Sequence, residues 1–205
     1  MTVATGRPRV AGTDQLVIDT VLDLLGEGST LAGLSFVAIA ARAGVSRNTL
    51  YRRWRTKDEL LLDVLTAVNT PWPTMTSARA ITNTHPRKNL ISLVETLFER
   101  AGDPRVGRLL RCLIAESEQF PQLRVRYAEA VITPRRQAMR EVLEHGIRSG
   151  HLRAGLDTDV AVLALSAPAL FYGLTDTAAE ITAGQSPHAL ATRLVDLILH
   201  GLADL

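Results

Sequence analysis

Two short apolar patterns with helical spacing, separated only by Ala43-Gly44-Val45-Ser46, constrain this chain more than any other feature. Phe36, Ile39, Ala40 and Ala43 fall at i, i+3, i+4 and i+7, and Leu50 and Trp54 follow at i and i+4. Gly44 stops the first segment, and Ser46 can cap the second, so the spacing predicts a helix over 46–54. A helix this short is marginal alone and must be held by its neighbours. Leu50 and Trp54 can pack on Phe36, Ile39 and Val45, which leaves Arg47, Asn48, Thr49 and Arg52 pointing away from that core. Such a pair is a helix-turn-helix, whose free helix can enter the ~12 Å wide major groove of B-DNA.

Charge gathers on the same stretch. Six cations and no acid lie from Arg42 to Lys57. The net charge of +2 arises within the first 60 residues, 8 Lys+Arg against 6 Asp+Glu, the remainder holding 15 of each. A solvated basic face would look alike on charge alone. The flanks favour a polyanion. Lys57 opens the next helix, behind a Thr56–Glu59 capping box, where the helix dipole disfavours a cation. A folding argument alone gives Lys57 no reason to be there, whereas a docked phosphate does. Ser35, the N-cap of the preceding helix, offers a second such site. Arg7 and Arg9, flanking Pro8, fit an arm reaching into the minor groove or, equally plainly, a disordered terminus.

The rest of the chain is also helical in period. Val17, Val21, Leu24 and Leu25 mark a first helix, and no run of alternating β-branched residues occurs. The prolines of "NTPWPT", 69–74, end a fourth helix and mark a hinge. Beyond it the pattern predicts helices at 86–101, 104–118, 122–149, 158–180 and 187–202, with Pro134 and Pro168 expected to bend or split theirs. The expectation is an all-α chain of about nine helices, with an N-terminal three-helix helix-turn-helix domain and a C-terminal helical bundle. Its divisions are a flexible basic arm at 1–12, a helix-turn-helix DNA-binding domain at 13–68, and a C-terminal helical domain at 75–205.

"GVSRNTLYRRWRTKDELL", preceded by "LSFVAIAARA", resembles the DNA-binding domain of the TetR family of bacterial repressors over about residues 13–65. The resemblance implies a homodimer whose variable C-terminal helices bind a small molecule. It implies that Arg47, Asn48, Thr49 and Arg52 approach bases or nearby phosphates, while Tyr51, Arg53 and Lys57 mainly hold the backbone; the caps Ser35 and Ser46, read from the residues themselves, complete the expected DNA-binding set. Arg53 stands where the family often has His or Tyr, and Trp54 where it often has Phe.

In the C-terminal part, Val160, Leu163, Ala164, Ala167, Phe171 and Leu174 share one helix face, with Gly173 allowing close approach. Leu190, Leu194, Leu197, Ile198 and Leu202 share another. The spacing is equally that of an intramolecular core, and the family resemblance tilts it to a dimer interface at Val160, Leu163, Ala167, Leu190, Leu194, Leu197 and Ile198. Aromatics are only 4% of the chain. Among them and their soft neighbours, Phe98, Cys112, Tyr127, Met139 and Phe171 are the residues we expect to line a pocket for a hydrophobic or aromatic effector.

No phosphate-binding glycine loop and no H-E-x-x-H is present, and Glu141 with His145 reads as a surface pair. No enzyme activity, cofactor or metal is expected. The longest uncharged apolar run, Val160–Thr175, has 16 residues against the ~20 a spanning helix needs, so no membrane partner is expected. One cysteine excludes an intramolecular disulfide and fits a cytoplasmic protein. The function this predicts is a ligand-responsive regulator, a repressor binding a palindromic operator in double-stranded DNA as a homodimer and released by a small molecule. The alternative is a constitutive or architectural DNA-binding protein whose helical domain only dimerises.

Overall fold

The computed structural model describes residues 11–69, 85–175, 182 and 184–201, and no strand occurs among them. The helices are α1 (Ala11–Gly26), α2 (Phe36–Ala43), α3 (Arg47–Arg53) and α4 (Lys57–Val68). They are followed by α5 (Pro86–Ala101), α6 (Pro104–Ala115), α7 (Pro121–Tyr127), α8 (Thr133–Arg148), α9 (Thr158–Leu174) and α10 (Pro187–His200). A π-helical segment, Ala128–Ile132, joins α7 to α8 in one rod. Counted as one helix, that rod brings the described helices to nine, and the all-α expectation holds. Arg7, Arg9, Trp72, the hinge prolines, residues 176–180 and Leu202 lie outside the described residues.

Most helices of the second half start on a proline, whose missing N–H costs nothing in a first turn. Pro86, Pro104 and Pro187 follow caps at His85, Asp103 and Ser186, each accepting a backbone N–H through its side chain. Pro134 does interrupt the long rod. The N–H of Thr133 reaches back to the carbonyl of Ala128, the wider π turn placed just ahead of the proline. Pro168 does not split α9, which runs unbroken through it to Leu174. The helix expected over 104–118 stops at Ala115, and the one expected over 46–54 stops at Arg53. In both cases the next side chain is engaged elsewhere, as described below.

Apolar burial divides into two clusters that do not follow chain order. The first joins α1–α4, including Val17, Val21, Leu25, Ile39 and Leu50, to Leu109 and Leu113 of α6 and to Leu123 and Tyr127 of α7. The second joins α5, α8, α9 and α10 around Leu90, Leu93, Val142, Leu165 and Val195. Thus α6 and α7, though they follow residues 70–84 in sequence, form part of the floor under the N-terminal helices. Helices α6 and α9 meet closely, since a Cβ on Gly107 would stand 2.8 Å from the Gly173 carbonyl, and α9 also lies against the end of α5, where a Cβ on Gly173 would stand 3.1 Å from Ala101. Gly173 allows the approach its sequence position suggested.

Candidate nucleic-acid interface and small-molecule cavity

The tight turn between α2 and α3 is built from three local devices. Ser35 caps α2 by accepting the N–H of Ala38 at 3.2 Å, and Ser46 caps α3 by accepting that of Thr49 at 3.1 Å. Gly44 ends α2 at φ 66°, a left-handed conformation in which its N–H bonds back to α2 carbonyls. The chain therefore turns within a few residues and lays α3 across α2. Leu50 is fully buried, which stabilises the packing by ~1.5–3 kcal/mol. Trp54 is 4% exposed, sits in extended backbone just past α3, and donates its indole N–H to Asp63 of α4 at 2.8 Å. That hydrogen bond explains why α3 stops one residue early. Tyr51 is 53% exposed and meets the Phe36 ring edge-on, centroids 4.9 Å apart.

The free side of α3 presents Arg47, Asn48, Tyr51 and Arg52 to solvent, with Arg55 just beyond. Thr49 is half-buried, its hydroxyl 2.9 Å from that of Ser46. Arg53 is different. It ion-pairs with Asp14 of α1 and its side chain is only 19% exposed. Lys57 also has intramolecular work, which corrects the expectation that folding gives it none. Its Nζ donates to the Ala32 carbonyl at 2.9 Å and lies 5.2 Å from the centre of the Phe120 ring. Those contacts offset the unfavourable helix-end position. The Thr56–Glu59 box forms, Thr56 accepting the Glu59 N–H and Glu59 accepting that of Arg55.

One residue missed in the sequence ties the two halves together. Glu116, just past α6, accepts the N–H groups of Leu31 and Ala32 at 2.8 and 2.7 Å. Its carboxylate thereby secures the α1–α2 turn, and engagement there accompanies the early end of α6. Arg105 adds an ion pair to Asp19, and Arg108 donates to the Leu25 carbonyl at 3.2 Å. Nothing in the spacing around Glu116 announces a partner some 85 residues away.

The second site is a cavity of about 470 Å³ bounded by α5–α9 and the end of α4, inside the ~300–1,000 Å³ usual for small-molecule sites. Of the residues expected there, Tyr127 and Met139 line it. Phe98 and Cys112 are buried in the two cores without reaching it, and Phe171 is 60% exposed on the outside of α9. The physical reason is rotation: α9 turns Leu163, Ala167 and Leu170 to the cavity rim instead. Sequence reasoning also missed Asn69, Arg100, Arg124, Arg135 and Arg136, all in the lining. Burial raises the Tyr127 hydroxyl above its ordinary value, against the pull of Arg135 and Asn69. Burial lowers the Arg135 guanidinium, Tyr127 opposing and Arg100 reinforcing the change. Burial also pushes the Cys112 thiol up, leaving it a poor nucleophile.

On α9, Val160, Leu163 and Phe171 are exposed by 60, 57 and 60%, and Ala167 is exposed beside them, while Ala161, Leu165 and Ala169 face the core. On α10, Leu197 is 47% exposed, and Leu190, Leu194 and Ile198 are half-buried against the second core. The expected interface residues therefore share an open face on α9 and flank a packed one on α10. Among the described residues no group of His, Cys, Asp and Glu could hold a metal ion, and no helix is long and apolar enough to cross a membrane.

Residues 30–64 match the family model described as bacterial regulatory proteins, tetR family, and residues 84–198 match the tetracyclin repressor-like C-terminal domain. The chain is 30% identical over 176 residues to the uncharacterized HTH-type transcriptional regulator YdeS of Bacillus subtilis, covering 86% of this chain and 85% of that protein. It is 27% identical over 188 residues to the HTH-type transcriptional regulator AqdR of Rhodococcus erythropolis, covering 90% and 83%. Among solved structures it is similar to the regulator FadR of Bacillus subtilis in complex with stearoyl-CoA, with TM-score 0.75, 19% identity, and coverage of 92% and 99%. FadR of Bacillus halodurans gives TM-score 0.72 at 19% identity over 97% and 98%.

Proposed function

Because the chain belongs to the TetR family of bacterial regulatory proteins, we propose that it is a ligand-responsive repressor acting as a homodimer on a palindromic operator. Each subunit lays α3 in the major groove of one half-site. Arg47, Asn48, Thr49 and Arg52 read or flank the bases, and Ser35, Ser46, Tyr51, Arg53 and Lys57 set the docking on the backbone. The exposed apolar face of α9, with Val160, Leu163, Ala167 and the neighbouring Leu190, Leu194, Leu197 and Ile198, pairs two subunits. That pairing fixes the half-sites one helical turn apart, ~34–36 Å, or a multiple of it. A hydrophobic effector in the cavity shifts the population away from this spacing by as much as it prefers the other state.

The observation that carries this reading is the connection between the two sites. Helix α6 lines the cavity through Leu110, Leu113 and Ile114, and the next residue but one, Glu116, holds the α1–α2 turn beside the DNA-facing pair. The solved FadR with stearoyl-CoA supports the idea that this fold can house an acyl ligand. Selection of random duplexes by the purified protein at two salt concentrations tests the proposal. Enrichment of one palindrome is expected. Binding without an enriched site would point instead to an architectural protein.

A further inference from the structure

The polar groups of the cavity are one-sided in charge. Four arginines border it, Arg100 from α5, Arg124 from α7, and Arg135 and Arg136 from α8, and no carboxylate is among its lining residues. Arg124 and Arg136 are exposed, whereas Arg100 and Arg135 are half-buried. The remaining wall is almost wholly apolar, with Leu97, Leu110, Leu113, Ile132, Met139 and Leu170. Drawing guanidinium groups out of water against an apolar wall is unfavourable unless something answers their charge. The Nε of Arg100 is buried and has no hydrogen-bond partner. Arg135 is near enough to Arg100 that their charges oppose each other. Arg135 already serves the fold by donating to Asn69, whereas the Nε of Arg100 has no partner within it; an oxyanion between the two would be answered by both.

We infer that the cavity takes an amphiphile with an apolar body and an oxyanionic head, the head docking on Arg100 and Arg135. This rests on the effector reading above and gives it a chemical class. It also supplies a route to the DNA-binding half. Arg135 Nη2 donates to the backbone carbonyl of Asn69 at 3.2 Å and to its Oδ1 at 2.7 Å. Asn69 closes α4, its own N–H bonding back to Thr66 at 3.0 Å and its side-chain amide reaching the Leu65 carbonyl. A head group seated on Arg135 competes with Asn69 for those donors, so its arrival loosens the last turn of α4. Helix α4 carries Asp63, the partner of Trp54, and Trp54 anchors α3. A neutral molecule of the same shape fills the apolar wall but leaves the Arg135–Asn69 bonds in place.

The test uses the full chain with dodecanoate and dodecan-1-ol, one tail with a charged and a neutral head, each kept below its aggregation limit. Calorimetry is expected to give dodecanoate an advantage of about tenfold or more, the scale of one charge-assisted hydrogen bond. Arg100→Met and Arg135→Met are expected to bring the two ligands within about threefold, while unchanged dodecan-1-ol binding shows that each variant is folded. Dodecanoate, and not dodecan-1-ol, is expected to weaken binding to the selected duplex, and Asn69→Ala to blunt that effect. Equal binding of both ligands by the wild-type protein overturns the head-group assignment and leaves the cavity as an effector site. A preference that survives both arginine variants overturns the placing of the head. Failure of both ligands to bind overturns the inference together with the effector reading on which it stands.

Discussion

Arg47 and Arg52 stand in water on the outer side of α3, whereas Arg100 and Arg135 are drawn half out of it into the wall of an apolar cavity. The first pair keeps its hydration and is free to exchange it for phosphates or base edges. That suits a polyanion bound through many weak, salt-sensitive contacts. The second pair has already lost part of its hydration, so each bond to an anion there is worth more and fewer are needed. The two also differ in support. Helix α3 rests on Leu50 and Trp54, a few residues from the charges they carry. The cavity arginines rest on α5 and α8, positioned by packing between helices distant in sequence.

The largest break of that comparison removes each site's footing. Trp54→Ala deletes a buried ring and its bond to Asp63, and Met139→Ala deletes a side chain 1% exposed at the cavity wall. Denaturant unfolding should record losses of ~3–5 and ~2–5 kcal/mol respectively. Under conditions where both variants remain folded, operator affinity should collapse only for Trp54→Ala. Equal loss of DNA binding in the two would mean that α3 is oriented from the second core rather than by its local anchor.

The same contrast explains what could be read from the sequence. Caps at Ser35, Ser46 and Thr56, the glycine stop at Gly44 and the burial of Leu50 and Trp54 are all set within a few residues, and periodicity showed them. Helix existence in the second half was legible for the same reason. Which way a helix turns its two apolar faces was not: α9 is apolar all round, so Phe171 looked as suited to a pocket as Leu170, and only packing chose. Ion pairs and clamps across the fold left no local trace either. Arg53 with Asp14, Lys57 with Ala32, and Glu116 with Leu31 depend on where α1, the α1–α2 turn and α6 come together.

Glu116 offers the next largest effect, because it joins the two regions. Glu116→Ala strips the acceptor from the N–H of buried Leu31, while exposed Ala32 can turn to water. Stability should fall by ~1–3 kcal/mol, and Glu116→Gln, keeping one acceptor oxygen, should recover part of it. Effector-driven release of DNA should weaken in the alanine variant. If release is unchanged while stability falls, the clamp holds the fold without transmitting anything.

Within the group proposed to face DNA, the arginines should separate by partner. Arg47→Ala, with an exposed side chain, is expected to relax preference at particular base pairs by ~1–3 kcal/mol. A uniform loss across sequences would assign Arg47 to the backbone. Arg53→Ala breaks the pair with Asp14, a partly buried contact between α3 and α1. Its expected cost is ~0.5–1 kcal/mol of stability. The salt slope of binding should fall by less than the ~1 expected for a free phosphate contact. A full unit of slope would show that DNA takes Arg53 from Asp14.

The smallest effect belongs to the cavity and appears only in alkali. Burial holds the Tyr127 hydroxyl above its ordinary value, so the folded protein keeps that proton after the unfolded chain has released it. The sign follows from proton binding: above the unfolded value of ~10 the unfolded state binds fewer protons than the native one, and stability falls as pH rises. The contribution is complete below that value and is lost on the way to the raised folded one. Urea unfolding from pH 8 to 11 should show this decline in the wild type and a shallower one in Tyr127→Phe. Identical slopes would mean that Tyr127 reaches water through the cavity. Dodecanoate bound beside Arg135 should steepen the wild-type decline, since a fixed anion near Tyr127 disfavours its ionised form still further.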